Sequence, residues 1–378
     1  MLKRLRPDKV LKNLRPDKVL HYLSLPNLFG TGRTREILQH NPTIIPHRED
    51  SKEVRITVHD YNSSIVEVHE VETVEDCFKF FTSETITWIN IDGIRKTDVE
   101  TICNHFGIHP LIQEDILSVN QRPKMDEIDN ILFCLLNMIY YNDKYYTVEQ
   151  EQISIVVGKN FVVSFQEDAN RDVFNLLREK LKLNTSRIRQ HGSDYLCYTM
   201  LDLIVDHYFV VMEKLGDSIE DLEEEVVRSS SQRSLARINL FRKELIVLKR
   251  NMAPVRDLVN GFIRSDNELL DERSTKYFKD VHDHIIQAYD LSENYRDMMI
   301  NLHDLYLSNV NLKLNEVMKV MAIVTCLLAP ATVIGGVFGM NFESIPWLHN
   351  PFGFFGAVVI MLVIPVWMLW VFRKRGWF

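Results

Sequence analysis

Two long apolar runs close to the end of the chain constrain its fold more than any other feature. The run Val317–Phe338 is apolar apart from Lys319 and two threonines, and the run Phe352–Phe372 carries no charge. Each has about 21 or 22 residues, and about 20 helical residues at ~1.5 Å each cross a bilayer core. A water-soluble helix of this length would normally show a polar face, which the second run lacks. The sequence therefore predicts two transmembrane helices, with a buried helical hairpin in a soluble protein as the less favoured alternative.

The charges that flank these runs predict how the chain crosses the membrane. Lys313 and Lys319 stand at the start of the first run, three bases follow the second at 373–375, and the connection 341–351 holds no Lys or Arg. Because positively charged flanks stay in the cytoplasm, both termini should be cytoplasmic and the connection external. The basic N-terminus lacks an apolar run, so we expect no signal peptide. We therefore expect a multi-pass protein of the cell (inner or plasma) membrane, with about its first 315 residues in the cytoplasm.

The composition of the 378-residue chain excludes several functional classes. Its formal charge is −8, from 52 acidic and 44 basic residues. A nucleic-acid-binding protein would favour a basic surface, whereas an acidic chain suits a protein that gathers cations. The five cysteines form no C-x-x-C pair and are expected to be reduced, mostly buried thiols. The sequence has no Gly-rich phosphate loop, nucleophile elbow or metalloprotease motif, so we expect neither an enzyme nor an organic cofactor.

The part before the apolar runs changes character along its length. The first 50 residues contain a perfect duplication, Leu5–Leu11 and Leu14–Leu20; we interpret it as a flexible basic tail that touches anionic lipid, or as a feature without function. The next part reads as α/β, and the part after about Arg171 reads as helical and charged. We predict strands at Val54–Val58, Ile65–Val68 and Thr85–Ile91, a helix at Asp98–Phe106, and a hairpin of Ile153–Val157 and Phe161–Phe165 around a Gly/Asn turn.

Three long helices are predicted in the helical part. Tyr195–Arg228 ends in an acidic run and Arg233–Val259 is basic, which suggests an antiparallel hairpin held partly by charge. From about Asn267 no strong breaker appears before Pro330, so a stalk helix of about 70 residues, or ~105 Å, should continue into the membrane. The predicted organisation is a basic tail (1–50), a cytoplasmic α/β domain (51–170), a helical hairpin region (171–266), a stalk helix (267–338) whose end is the first span (317–338), an external loop (339–351), a second span (352–372) and a basic cytoplasmic C-terminus (373–378).

A polar stripe follows one face of the predicted stalk helix. Four aspartates are spaced seven residues apart, and polar or small residues continue the same face through the first span. Polar groups at membrane depth face a bundle interior or water, and an oligomer of two-span chains could turn this face toward a central pore. The alternative is a solvated face whose hydroxyls bond back to their own helix. The stripe comprises Asp283, Asp290, Asp297, Asp304, Asn311, Met318, Thr325 and Thr332, with Ser308, Asn315, Ala322, Ala329 and Gly336 four residues further on.

Several motifs resemble those of the CorA family of divalent-cation (Mg²⁺/Co²⁺) transporters, in the metal ion transporter superfamily. The most specific is a Gly-Met-Asn triplet at the outer end of the penultimate span, combined with a basic C-terminal tail. The resemblance covers roughly residues 50 to 378. The motifs are Gly107–Leu111, Glu114–Leu117, Tyr277–His284, Tyr306–Ser308, Asn315–Val320, Pro330, and Gly339–Phe342 followed by Pro346.

This resemblance implies an architecture and an activity. It implies an α-helical membrane protein with two transmembrane helices per subunit, an N-terminal α/β cytoplasmic domain and a long stalk helix, assembled as a funnel-shaped homopentamer in the lipid bilayer. It implies Mg²⁺ influx down the membrane potential, with Co²⁺ and Ni²⁺ also accepted, closed by cytoplasmic Mg²⁺ bound between subunits. Mg²⁺ would thus be both the transported and the regulatory ion.

The resemblance also assigns roles to residues. Gly339, Met340 and Asn341 would form the selectivity filter. Asp304, Asn315, Met318, Met321 and Thr332 would line the pore, and the helical register adds Asn311 and Thr325. Asp115 and Asp280 would form the regulatory cytoplasmic metal site, with Glu114 and Asp202 as secondary members. One departure is Ala329, where the family often has a bulkier apolar residue.

The chemistry of the filter residues suits Mg²⁺ independently of the resemblance. Mg²⁺ gives up its water reluctantly, and a ring of Asn341 amides could accept hydrogen bonds from bound water without removing it. Two alternatives remain: a zinc-transporting relative, which Met340 disfavours, and a non-conducting membrane-anchored sensor or scaffold, which the polar stripe disfavours. His282 and His284 could form a metal pair, but side chains two apart on a helix point away from each other, so we expect surface residues.

Overall fold

The computed structural model describes residues 48, 50–82, 84–340 and 352–377. These residues belong to two compact units. The first unit comprises the chain up to Glu220 together with Asn239–Met298, and the second comprises Asp221–Ile238 together with Met299–Phe378. The predicted tail 1–47 and the connection 341–351 lie outside the described residues.

The first unit is built on a seven-stranded sheet with the order β2-β1-β3-β7-β6-β5-β4. Only β3 and β7 pair in parallel; the other neighbours are antiparallel. The predicted strands and the predicted hairpin are confirmed within a few residues. The strands are β1 Arg55–Tyr61, β2 Val66–Val71, β3 Ile86–Asp92, β4 Lys124–Ile128, β5 Ile131–Asn142, β6 Thr147–Val157 and β7 Phe161–Gln166.

Two helices pack on one face of this sheet. They are α1 Lys96–Phe106 and α2 Pro110–Leu117, joined by Gly107, whose left-handed φ of +65° ends α1. Proline at the first position of α2 fits a helix start, since that N–H has no helical partner. Ile102 and Ile112 join the branched residues of the central strands in one buried cluster, so apolar burial holds α1 and α2 against the sheet.

The remaining helices are α3 Asn175–Lys182, α4 Ser193–Arg228, α5 Gln232–Arg264, α6 Thr275–Phe338 and α7 Gly353–Lys374. The predicted antiparallel charge contact between α4 and α5 exists at the tip of their hairpin, in the second unit. There Arg237 lies 2.6 Å from Glu225, which also accepts a 2.8 Å hydrogen bond from Ser234. These contacts close the turn at residues 229–231 that joins the two helices.

The stalk helix α6 begins later than predicted. It starts at Thr275 instead of about Asn267, because polar side chains bond the backbone two residues on and favour turns over a helix. Asn267 accepts from the N–H of Leu269, and Asp271 accepts from the N–H of Arg273 ahead of a short 3-10 turn. The 64-residue helix nevertheless runs unbroken through Pro330, as the absence of earlier breakers predicted.

Among the residues that the structure describes, three helices are long and apolar enough to cross a membrane, namely α4, α6 and α7. In α4, 67% of the most apolar window is buried within the chain, whereas the corresponding share is 6% in α6 and 0% in α7. The cysteines follow the prediction: four of the five are buried and the fifth, Cys326, is exposed in α6.

Candidate functional site

The Asp115 carboxylate lies near the C-terminal end of α2, beside the edge strand β4. Its Oδ2 atom is 2.5 Å from the Nζ atom of Lys124, the first residue of β4. The same ammonium lies 3.1 Å from Asp126. Burial lowers the pKa of Lys124. Its hydrogen bonds to the two aspartates raise the pKa by a larger amount, so the pKa lies above its ordinary value. Asp115 therefore has a cationic partner within its own chain.

The end of α2 is held in place by residues that are distant in sequence. Arg48 donates to the carbonyl of Ser118, the residue that follows α2, at 3.2 Å and to Glu167 at 2.5 Å. Gln152 donates to the carbonyl of Asp115 at 3.4 Å, while its own N–H bonds to Glu167 at 3.1 Å. These bonds tie the helix that carries Asp115 to strands β6 and β7. The adjacent Glu114 is exposed and lines a cleft of about 290 Å³ with Lys96 and Glu100.

A second group of carboxylates lies between α4 and α6 within the first unit. One ligand atom each from Asp202, Asp206 and His284 lies within 4.8 Å of the others. His284 Nδ1 is 3.7 Å from Asp206. Burial, followed by the charges of Asp206 and Asp280, raises the pKa of Asp202 to about 6. Asp280, one turn before His284 on α6, is close enough for its charge to raise the pKa of Asp202.

Asp206 and His284 were not among the predicted ligands. Both could have been found from helical spacing, because Asp206 stands four residues after Asp202 and His284 four after Asp280. His284 is partly exposed, which agrees with the expectation of a surface residue, and its ring lies 3.7 Å from Asp206. His282 is 3.9 Å from its neighbour Asp283, so the expectation that the two histidines point apart stands.

The donor atoms of both groups suit a divalent cation. Carboxylate oxygens are the ligands that Mg²⁺ prefers, and the mutual repulsion that helps to raise the pKa of Asp202 would be relieved by a cation. The imidazole of His284 is a softer donor, better suited to Co²⁺ or Ni²⁺. Within the described residues of this single chain, Asp115 contacts Lys124 and no contact joins it to Asp202 or Asp280.

The predicted pore residues lie on an exposed face of α6 in the second unit. Asp304, Asn311 and Asn315 are exposed, as are Met318 and Met321 with 68% and 65% of their surface accessible. The opposite face holds buried residues such as Leu302 and Tyr306.

Thr325 and Thr332 agree with both interpretations of the polar stripe, namely a polar face turned to a pore and hydroxyls that bond back to their own helix. Thr325 and Thr332 are exposed, yet their hydroxyls donate to carbonyls one turn back, Met321 at 2.9 Å and Leu328 at 3.0 Å. Their oxygens can still accept hydrogen bonds on the exposed side.

The predicted filter triplet begins where α6 ends. Gly339 donates to the carbonyl of Gly335 at 2.9 Å, and Met340 is 54% exposed. Asn341 lies outside the described residues. A side chain on Gly339 would come within 3.0 Å of the Gly335 carbonyl, which is a physical reason for glycine at this helix end.

Comparison with known proteins decides the family. The family model described as "CorA-like Mg2+ transporter protein" matches residues 83–374. The chain belongs to this family. This is a family of transporters and not an enzyme class, and the chain is accordingly a membrane protein of a family that transports divalent metal ions.

Individual relatives agree with this assignment. The chain is 41% identical over 319 residues to the cobalt/magnesium transport protein CorA of Thermotoga maritima, covering 84% of this chain and 91% of the relative. It is 30% identical to the putative metal ion transporter YfjQ of Bacillus subtilis, with 77% and 89% covered. The fold matches the complete structure of the CorA magnesium transporter from Methanocaldococcus jannaschii with a TM-score of 0.70 at 22% identity, over 85% of this chain and 98% of that one.

Proposed function

We propose that the chain forms a homo-oligomeric channel, most simply a homopentamer, that admits Mg²⁺ down the membrane potential and also accepts Co²⁺ and Ni²⁺. The observation that carries this proposal is the alignment of polar residues on one side of the unbroken helix α6, from Asp304 through Asn311 and Asn315 to Thr325 and Thr332, in a segment that is exposed on nearly all sides in the single chain. A face of this kind is unfavourable against lipid and favourable against water or a hydrated cation.

Two of the three apolar helices span the membrane in this proposal. The apolar part of α6 and the whole of α7 leave their side chains exposed, which suits contact with lipid or with other subunits. Helix α4 is excluded as a span because most of its apolar window is already buried in the first unit. Two spans with basic flanks place both termini in the cytoplasm and the connection 341–351 outside.

One chain cannot enclose a pore with a single polar helix face. Several copies can, if each turns the face of Asn315, Met318 and Thr325 toward a common axis and places α7 on the lipid side. Gly339, Met340 and Asn341 then meet at the outer mouth, where weak amide and carbonyl contacts hold hydrated Mg²⁺ without slowing its release. At Ala329 the small side chain leaves the pore wide.

The regulatory part of the proposal rests on the family resemblance, which pairs Asp115 with Asp280, and on the affinity of carboxylate oxygens for Mg²⁺. Asp115 of one subunit faces Asp280 of its neighbour, with Glu114 and Asp202 nearby. Bound Mg²⁺ supplies the positive charge that lets these carboxylates approach. Without bound Mg²⁺ this bridge between neighbouring subunits is lost and the subunits can separate, which opens the pore. Internal Mg²⁺ thereby limits its own entry.

Flux measurements in liposomes test the proposal. We expect the reconstituted wild type to carry Mg²⁺, Co²⁺ and Ni²⁺, and Asn341→Ala to change the flux or the order of ions. Gln232→Ala, which removes an exposed amide from the start of α5, is the matched control and should leave both unchanged. If Asn341→Ala leaves the flux and the order of ions unaltered, Asn341 is not part of the selectivity filter. A preference for Zn²⁺ would favour the zinc-transporting alternative, and no flux of any ion would favour a sensor or scaffold.

A further inference from the structure

The contact between Lys124 and Asp115 carries an inference that rests on, and deepens, the proposed regulation. We propose that Lys124 is a tethered cation that competes with Mg²⁺ for Asp115, and so sets the Mg²⁺ concentration at which the channel closes. The ammonium lies 2.5 Å from Asp115 Oδ2, the distance of a short charge-assisted hydrogen bond. A metal ion that coordinates this oxygen must displace the ammonium.

The partners of this contact are held by the backbone and do not meet by chance on a flexible surface. Lys124 begins the edge strand β4 and is paired in register with Leu135 of β5. Asp115 lies on α2, whose end is tied to the sheet by Arg48 and Gln152. The Asp115 side chain is 16% exposed and the Lys124 side chain 35%. Partial burial of Asp115 weakens solvent screening, so the pair is stronger than a fully exposed one.

The surroundings also give the displaced ammonium a place to go. Asp126, two residues along β4, is 3.1 Å from the same Nζ atom and is 38% exposed. Lys124 can therefore leave Asp115 and remain paired with Asp126, with no rearrangement of the strand. This makes the exchange reversible, as a concentration sensor requires. The contact then lowers the Mg²⁺ affinity of Asp115 by the strength of the ion pair.

The sign of this effect separates the proposal from a structural role. If Lys124 only supported the fold, its removal would loosen α2 and weaken Mg²⁺ binding. If Lys124 competes with Mg²⁺, its removal strengthens binding. From the usual strength of partly exposed pairs we expect Lys124→Gln to lower the half-saturating Mg²⁺ concentration by about 3- to 10-fold.

The test measures Mg²⁺ binding directly, in addition to transport. Thermal unfolding of the full-length protein in detergent is followed over a range of Mg²⁺ concentrations, since a ligand that binds the folded state raises the melting temperature. Lys124→Gln should shift this dependence to lower Mg²⁺, and Lys124→Arg should leave it near the wild type. Asp126→Asn should shift it about 2-fold to higher Mg²⁺, because the ammonium then has only Asp115 as its partner. Lys214→Gln, which removes a more exposed ion pair with Asp143 by the same substitution, should not shift it.

The outcomes are distinguishable from failure of the proposed regulation. A wild type without Mg²⁺-dependent stabilisation, or an Asp115→Asn variant identical to it, overturns the regulatory site and this inference with it. Suppose that Mg²⁺ stabilises the wild type and that Asp115→Asn weakens this stabilisation. If Lys124→Gln then has an unchanged or higher half-saturating Mg²⁺ concentration, only the proposed competition is overturned. If Lys124→Gln shows no cooperative unfolding, Asp126→Asn decides, and an unchanged or lower value there overturns the proposal. The same shifts are expected in the Mg²⁺ concentration that halves flux in liposomes.

Discussion

Asp115 and Asp202 belong to one candidate regulatory set but have opposite electrostatic surroundings. Asp115 is paired with a cation of its own chain, at 2.5 Å from Lys124. Asp202 is partly buried beside Asp206 and Asp280, and burial and these charges raise its pKa to about 6. Lys124 thus compensates the charge of Asp115, whereas the contributions of His284 and Lys180 do not outweigh the burial and the neighbouring carboxylates that destabilise ionised Asp202.

This difference suggests that the two carboxylates make different contributions to metal binding. A cation that approaches Asp202 relieves repulsion, so this group should supply much of the affinity. A cation that approaches Asp115 must displace Lys124, so this group should restrain the affinity. A sensor of an abundant ion such as Mg²⁺ needs such restraint, because a site that binds too tightly is always full.

The largest expected effect comes from placing a fixed cation in the Asp202 group. In Asp280→Lys, the new ammonium would lie near Asp202 and replace the repulsion by attraction. We expect the half-saturating Mg²⁺ concentration to rise by more than about 10-fold, or the Mg²⁺ dependence to disappear. Mg²⁺-dependent thermal unfolding and flux measure this. Glu268→Lys, at an exposed position ahead of α6, is the control with the same charge change. Identical Mg²⁺ dependence in Asp280→Lys and the wild type would contradict the role of the Asp202 group.

A smaller effect is expected from removing the support of α2. Arg48 is only 11% exposed in its pair with Glu167, and Arg48→Met leaves that carboxylate without its cation. We expect the free energy of unfolding to fall by about 2–4 kcal/mol and Mg²⁺ binding to weaken several-fold. Calorimetry or denaturant titration of the purified protein measures the first change. Arg171→Met removes a more exposed pair with Glu149, for which a loss below about 1 kcal/mol is expected. Equal losses in the two variants would show that Arg48 has no special part in holding α2.

The smallest expected effect is a pH dependence confined to the Asp202 group. Its pKa of about 6 means that protons compete with Mg²⁺ for this carboxylate once the pH falls toward 6. Between pH 7.5 and 5.5 the ionised fraction falls about 4-fold, and the half-saturating Mg²⁺ concentration should rise by about the same factor. The measurement is Mg²⁺-dependent unfolding at each pH. In Asp202→Asn the half-saturating Mg²⁺ concentration should depend little on pH over this range. If this variant keeps the full pH dependence, another group is responsible for it.

Much of the fold could be predicted because its signals are local. In β1, β3 and β7 the β-branched residues alternate with polar ones or follow one another in short runs, and the turn between β6 and β7 contains Gly158. The spacing of apolar residues and the turn residue therefore indicate these strands directly. The start of α6 was placed too early because Asn267 and Asp271 compete for backbone N–H groups, which a search for Gly and Pro alone does not detect.

The candidate site was predictable to the extent that helical spacing determines it. The exposed face from Asp304 to Thr332 follows from steps of three, four and seven residues, which any regular helix turns to one side. By the same rule Asp206 and His284 could have been added to Asp202 and Asp280. The sequence could not show that these two pairs lie against each other, since that depends on how α4 and α6 pack.

The sequence by itself determined the two long apolar helical segments, the long helix and the alignment of its polar residues, because hydropathy and periodicity are properties of neighbouring residues. Only the tertiary structure decided the surroundings of each carboxylate. Arg48 reaches Glu167 across 119 positions, and Lys124 meets Asp115 because an edge strand passes the end of α2. Such contacts depend on sheet order and helix packing, in which the free energy of many buried apolar residues fixes where a few charged groups meet.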